Sequence, residues 1–347
     1  MTSTSDPRSG FALPAVLTVT GVVTLVFMVA ITALASLTAE AASARARVGF
    51  LQRALTLEAT VAYLAVTEPF TPNAIAVGFP RNYDDQYVSA PVGGFTTSVP
   101  PAQVLLDGET YATDLRGPMT ISLRDQAGML NLPQLNPDQL DTLGERLGMG
   151  RSELQGLRPR LMDYTDTDDL ENQNGGERAS YGASGPANRP FLRPSELFSV
   201  LGVRAATSAP RWRALRQDIA ADHSQRVYNI NTASAATLEV WFGLTAQQAD
   251  RAIARRRDVP FASISSFGAA AGAALADDGE ILYTFPSGRI LFTLSDGGSP
   301  WVYRGRLTIT PTNAEQPIWL DQTDIMESAR RTVADTTNAT PFPYAVR

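Results

Sequence analysis

Residues 11 to 39 contain no charged side chain, 29 consecutive positions that open Phe11-Ala-Leu-Pro14 and close Ser36-Leu-Thr-Ala39. No other feature limits the fold so strongly. A helix of roughly 20 apolar residues crosses a bilayer core. The apolar part of a secretory signal is shorter, about 7–15 residues, and ends in a small-residue cleavage site. The stretch therefore reads as a membrane-spanning helix that stays on the protein. A short polar leader, Met1 to Gly10, precedes it and ends Arg8-Ser9-Gly10. That junction places the expected processing site between Gly10 and Phe11. The helix is expected to continue beyond Glu40, because Ala44, Val48, Leu51, Leu55, Ala59 and Ala62 recur at helical spacing with Arg45, Arg47, Arg53 and Glu58 between them. Proline ends it at Thr67-Glu68-Pro69. From Phe11 to Val66 such a helix is about 80 Å long at 1.5 Å per residue. Its first half belongs in lipid and its second half on a globular domain.

The 347 residues suffice for two compact units. Cysteine is absent, which excludes disulfides and thiolate metal sites. Lys plus Arg number 29 and Asp plus Glu 35, a formal charge of −6, so the basic footprint of a nucleic-acid binder is missing. The single histidine, His223, lies between Asp222 and Ser224 in a polar stretch and reads as a surface residue. There is no Ser-His-Asp spacing, phosphate loop or His-rich metal motif, so the chain is expected not to be an enzyme.

Residues Pro69 to Pro101 read as loops, and Met119 to Leu123 alternates as a half-buried strand. Helical spacing follows from Asn136 to Leu147 and from Ser152 to Met162. The next segment is the best candidate site. Asp163, Asp166, Asp168, Asp169, Glu171 and Glu177 place six carboxylates within 15 residues, interleaved with Asn and Gly. Like charges at this density repel, and a hard cation such as calcium, which takes six to eight oxygens, relieves them. Asp166-x-Asp168 resembles the start of an EF-hand loop, but Glu171 stands where that loop requires Gly. A solvated acidic loop is the competing reading, and spacing alone does not select the ligands.

Tyr228 to Arg257 has a helix-hairpin-helix pattern: Ser234 is placed to cap its first helix, Gly243 to turn the chain, and Ala249 to allow close packing. The second Gly of the DNA-binding version is Thr245, and the chain is acidic, so the hairpin reads as a packing module. Strand patterns return at Arg289 to Leu294, Trp301 to Ile309 and Pro317 to Leu320, with Asp296-Gly297-Gly298 as a turn.

These motifs together resemble the GspK family of minor pseudopilins of type II secretion systems. The leader resembles the class III signal of type IV pilins and pseudopilins. Asp163-Tyr-Thr-Asp166-Thr-Asp168, then Gly176-Glu177, Tyr181, Asn188-Arg-Pro-Phe191 and Ser195-Glu196-Leu197 resemble the family's Asp-Trp-x-Asp-x-Asp, Gly-Ala-Glu, Tyr, Asn-x-x-Phe and Glu-Leu helix start. Gly128-Met-Leu-Asn131-Leu is similar to its Gly-Lys-Ile-Asn-Leu. Tyr164 replaces Trp, Gly176 replaces Ala, and the Lys is lost. Counted from Phe11, the fifth residue is Ala15, where most pilin-like chains carry Glu and GspK does not.

The resemblance implies an α+β fold: a pilin-like long N-terminal helix with an antiparallel sheet, interrupted by a large helical insertion with helix-hairpin-helix (SAM-like) motifs. The expected divisions are 1–10 leader, 11–39 membrane helix, 40–125 pilin-like helix and first strands, 126–285 insertion, 286–334 closing strands and 335–347 flexible tail. The resemblance also implies Ca2+ held among Asp163, Asp166, Asp168, Asp169 and Glu177. It implies cleavage after Gly10 and N-methylation of Phe11 by the prepilin peptidase. The implied location is the inner membrane, single-pass with a periplasmic domain, moving to the pseudopilus tip on assembly. The implied partners are GspI, GspJ, GspH and the major pseudopilin, with no nucleic acid. The alternative is a membrane-anchored helix-hairpin-helix protein that binds DNA during uptake.

Overall fold

One uninterrupted helix, α1 (Ala12–Thr67), carries the chain for 56 residues, about 84 Å at 1.5 Å per residue. A computed structural model describes it and residues 12–78, 102–275, 282–297, 299–310, 313, 315–327 and 339–343 in all. The leader, the expected Gly10–Phe11 processing site, most of the Pro69–Pro101 segment and the turn at Gly298 lie outside the described residues. Two compact units are present, residues 1–55 and 56–347, and α1 runs through both.

In the first unit α1 is long and apolar enough to cross a membrane, and Leu13, Leu17, Val22, Phe27, Ile31 and Leu34 are all exposed along it. Its threonines are reconciled with an apolar surrounding locally. Thr18 and Thr24 donate their hydroxyls to the carbonyls of Pro14 and Thr20, each at 2.8 Å, so no polar group on these side chains needs water.

The second unit begins with the last three turns of α1. Here Leu57, Val61, Leu64 and Ala65 are buried. The stripe through Val48, Leu51, Leu55, Ala59 and Ala62 is not the face buried within this chain: Val48 is 55% exposed and Leu55 52%, Ala59 is exposed too, and Leu51 and Ala62 are half-buried. Most uncharged positions in this half are apolar, so periodicity offers two stripes and only packing selects one.

After β1 (Ala74–Val77) and β2 (Ala102–Leu105), which pair antiparallel, come β3 (Asp107–Thr113) and β4 (Met119–Asp125). The chain then leaves the sheet for the short β5 (Leu130–Asn131), helices α2 (Pro137–Leu147), α3 (Arg151–Thr165), α4 (Arg178–Tyr181), α5 (Val203–Ala206) and α6 (Ala209–Leu215), the bridges β6 (Ile219–Ala220) and β7 (Tyr228–Asn229), helices α7 (Ala235–Phe242), α8 (Ala246–Asp258) and α9 (Ile264–Ala271), and β8 (Leu282–Tyr283). It returns as β9 (Arg289–Ser295), β10 (Trp301–Ile309), β11 (Ile318–Glu327) and β12 (Thr340–Pro341). The main sheet has the order β11-β10-β9-β4-β3-β12. β4 and β9 are therefore antiparallel neighbours, from Thr120 opposite Ser295 to Asp125 opposite Ile290, and the whole helical part is inserted between them.

One sheet face carries Ile121, Leu123, Phe292, Leu294, Tyr303 and Leu307, all buried. Tyr303 donates its hydroxyl to Glu58, which seats the end of α1 on this face. Gly305 is required here, since a Cβ would lie 2.1 Å from Phe292 Cζ. The helical part has a separate core, in which Leu143, Leu238 and Phe267 are fully or almost fully enclosed. Asp125 joins the two. Buried at the end of β4, it accepts from Asn229 Nδ2 at 3.0 Å, Thr232 Oγ1 at 3.1 Å and Ser287 Oγ at 2.7 Å. Burial pushes its carboxyl above the usual range, and these donors oppose the shift.

The chain's end departs from the expected loose tail. Thr340 and Pro341 pair parallel with Tyr111 and Ala112 of β3, and Phe342 is buried edge-on against Tyr111 at 6.0 Å. Burying that one aromatic ring gives the segment a reason to order. Residues 335–338 and 344–347 lie outside the described residues.

Candidate metal centre

The acidic segment begins on α3. Asp163 and Tyr164 are buried in its last turn. Tyr164 stacks on Phe191 at 5.5 Å and meets Tyr181 at 5.8 Å. Its carbonyl accepts from the Asn188 amide at 3.1 Å. The aromatic anchor thus fixes both ends of the loop that follows.

Asp163 folds that loop. Its carboxylate accepts from the amides of Asn172 at 3.2 Å and Gly176 at 2.7 Å, and from Asn172 Nδ2. The approach is close enough that a Cβ on Gly175 would lie 1.9 Å from Asp163 Oδ2. Asn174 takes φ +67° to make the turn. The fold-back brings Glu177 over the end of α3, where it precedes α4 without a side-chain capping bond and is only 5% exposed.

Three carboxylates converge as a result. One oxygen each of Asp163, Asp166 and Glu177 lies within 4.8 Å of the others. Two ligands of a single calcium ion, each about 2.4 Å from it, are at most about 4.8 Å apart. Asp166 Oδ1, both carboxylate oxygens of Glu177 and Asn188 Oδ1 are buried and accept no hydrogen bond. Orphaned buried acceptors are costly, charged ones most of all. The C-terminal end of α3 adds its own partial negative charge. The all-oxygen donor set fits a hard cation.

The electrostatics agree. Burial, followed by the charges of Asp163, Asp166, Asp169 and Asp168, raises the Glu177 carboxyl above its usual range. Burial, then Asp168 and Asp163, does the same to Asp166. Asp168 and Asp169 themselves stand outside the converging group and are exposed. Asp168 Oδ1 accepts the Leu170 amide at 2.9 Å, and Asp169 Oδ1 is 3.4 Å from Asn188 Nδ2. Of the five expected ligands, then, three are brought together and two shape the loop beside them. Asn188, whose Nδ2 lies 3.4 Å from the Asp168 carbonyl and whose Oδ1 is buried without a donor, is a residue of this loop region that the carboxylate pattern did not single out. Its only signal was its place before Arg189-Pro-Phe191.

In the hairpin, Ser234 caps α7 and Gly243 turns with φ +62°, as expected. Its arginines serve the fold. Arg256 is buried and donates to the carbonyls of Ile230 at 2.9 Å and Ala233 at 2.6 Å, with Asp107 at 3.6 Å. Burial pushes its guanidinium down to about 10. Arg251 donates to the Ala271 carbonyl at 2.8 Å.

No protein-family model and no curated protein matches the chain. Among solved structures it is similar to a chain in the crystal structure of the GspK-GspI-GspJ complex from the enterotoxigenic Escherichia coli Type 2 Secretion System. The two share 17% identity with a TM-score of 0.48, over 64% of this chain and 84% of that one. A likeness of this size assigns neither a site nor a partner.

Proposed function

We propose that the chain is a non-enzymatic minor pseudopilin of a type II secretion system. In this reading it is anchored in the inner membrane by the first half of α1, has a periplasmic remainder, and caps the pseudopilus tip. The observation that carries the reading is α1 itself. It is a 56-residue helix, apolar and exposed over its first half, with its last turns buried under an antiparallel sheet. That is the construction of a subunit whose stem leaves the bilayer and packs among other stems. Ala15 supports the terminal position, because a subunit without a carboxylate there offers nothing to a neighbour's N-terminal ammonium. GspI and GspJ, which share a complex with GspK in the solved structure, are the proposed immediate partners. GspH, the major pseudopilin and the prepilin peptidase complete the set.

The acidic loop is proposed to hold calcium through Asp163, Asp166, Glu177 and Asn188, with Asp168 and Asp169 adding negative field. The ion would tie α3 to the start of α4 and so brace the helical part for contact with partners.

Co-expression of the full chain with GspI and GspJ, followed by capture in mild detergent, tests the assignment. A stoichiometric complex is expected, and mass spectrometry should find N-methylated Phe11 as its first residue. A chain that fails to enter the complex, or that alone forms homopolymeric filaments, would overturn the tip assignment. A retained leader would overturn the processing.

A further inference from the structure

The sheet's second face looks away from α1 toward residues 192–195, 212 and 216–221 of the helical part. Between them is a cleft of about 390 Å³, within the range of sites that bury a small ligand or a few peptide residues. Leu192, Trp212 and Met326 give it apolar walls, and among the described residues it is lined by five arginines against one carboxylate, Asp324. Two arginines are already used. Arg124 pairs with Asp218 at 2.6 Å, and Arg306 with Asp321 at 2.9 Å and Asp222 at 3.4 Å. The side chains of Arg193 and Arg216 have no partner among the described residues, and Arg304 Nε is buried without an acceptor. Asp324, opposite Arg304 in the β10–β11 register, is the one carboxylate in the lining.

We propose that this cleft binds an acidic peptide segment, an extended stretch of a partner polypeptide in which Asp or Glu alternates with apolar residues. Each part of the wall then has a use. The unpaired guanidinium groups take carboxylates in the geometry arginine favours, and Trp212 and Met326 receive the side chains between. A lone oxyanion would leave the apolar wall bare. A nucleic acid needs a positive field wider than a chain of charge −6 offers. The unsatisfied state shows in Arg304, whose guanidinium is lowered first by burial, then by Arg216 and Arg124, with Asp324 opposing. The proposal does not depend on the pseudopilin assignment.

The test uses the full chain in non-ionic detergent and a fluorescein-labelled hexapeptide, Glu-Leu-Glu-Phe-Glu-Leu, read by anisotropy against empty micelles. Saturable binding is expected, weakened at least tenfold in the Gln-for-Glu twin and by raising salt from about 0.05 to 0.5 M. Arg304→Gln should weaken it about tenfold. Arg216→Gln, at the exposed mouth, should weaken it severalfold without changing the melting temperature, so the test survives if the first variant folds poorly. Asp324→Asn should tighten binding, which a purely structural role would not produce. Equal binding of the two peptides, or no effect of Arg216→Gln, overturns the proposal. Displacement of the peptide by equimolar inorganic phosphate or by duplex DNA overturns it in favour of those ligands.

Discussion

At the scale of single residues, the acidic loop makes a prediction about pH. Asp166 and Glu177 have carboxyls raised in the fold. An acid that binds its proton more tightly when folded stabilises the protein fully below its unfolded pKa, about 4, and loses that contribution as pH rises through the folded value. Without calcium the loop is therefore strained near neutrality and relieved by acid. Melting temperatures measured with excess calcium and with chelator should differ at pH 7 and converge as pH falls toward about 4. Glu177→Gln should raise the melting temperature in chelator and abolish the gap. Identical curves with and without calcium at pH 7 would leave the loop as a solvated one. Asp222 behaves oppositely. Burial would raise it, but Ser224, Gln126 and Arg289 hold it below the usual range. Its contribution is present above the unfolded pKa and is lost as pH falls through the lower folded one. Asp222→Asn should cost about 1 kcal/mol at pH 7, allowing for partial exposure, and little in strong acid. The loop was legible in sequence because its carboxylates crowd together along the chain. The converging subset was not, because Glu177 meets Asp163 and Asp166 only through a fold-back organised by Asp163.

At the scale of elements, α1 and α8 show where pattern reading stops. The existence and end of α1 follow from composition and from Pro69, whereas its buried face does not, since two apolar stripes compete. Leu57→Ala should therefore destabilise by about 2–4 kcal/mol in urea melts, while Leu55→Ala stays within about 0.5 kcal/mol for the chain alone. On α8 the run Arg255-Arg256-Arg257 looks like one basic patch in sequence, yet helical geometry splits it, burying Arg256 and exposing its neighbours. Arg256→Gln should cost about 3 kcal/mol, because it strands two carbonyls and Asp107. Arg255→Gln and Arg257→Gln should be nearly silent.

At the scale of the whole molecule, the helical part between β4 and β9 was readable as strands flanking a helical stretch. Its fastening was not readable, since Asp125 gathers donors from Asn229, Thr232 and Ser287, which lie 104, 107 and 162 residues along the chain from it. The pairing of β4 with β9 has a kinetic consequence. Thr120 and Ser295 are hydrogen-bonded at a separation of 175 residues. Closing so long an unstructured loop is entropically harder than closing a four-residue hairpin by about 3 kcal/mol. If the insertion has already collapsed, its entry and exit at Asp125 and Ser287 stand side by side, and it acts as an oversized turn. The centre of the sheet then waits for the helices. Weakening the insertion's core with Leu143→Ala should slow refolding of the sheet, whereas a change on the outermost strand β11 should mainly hasten unfolding.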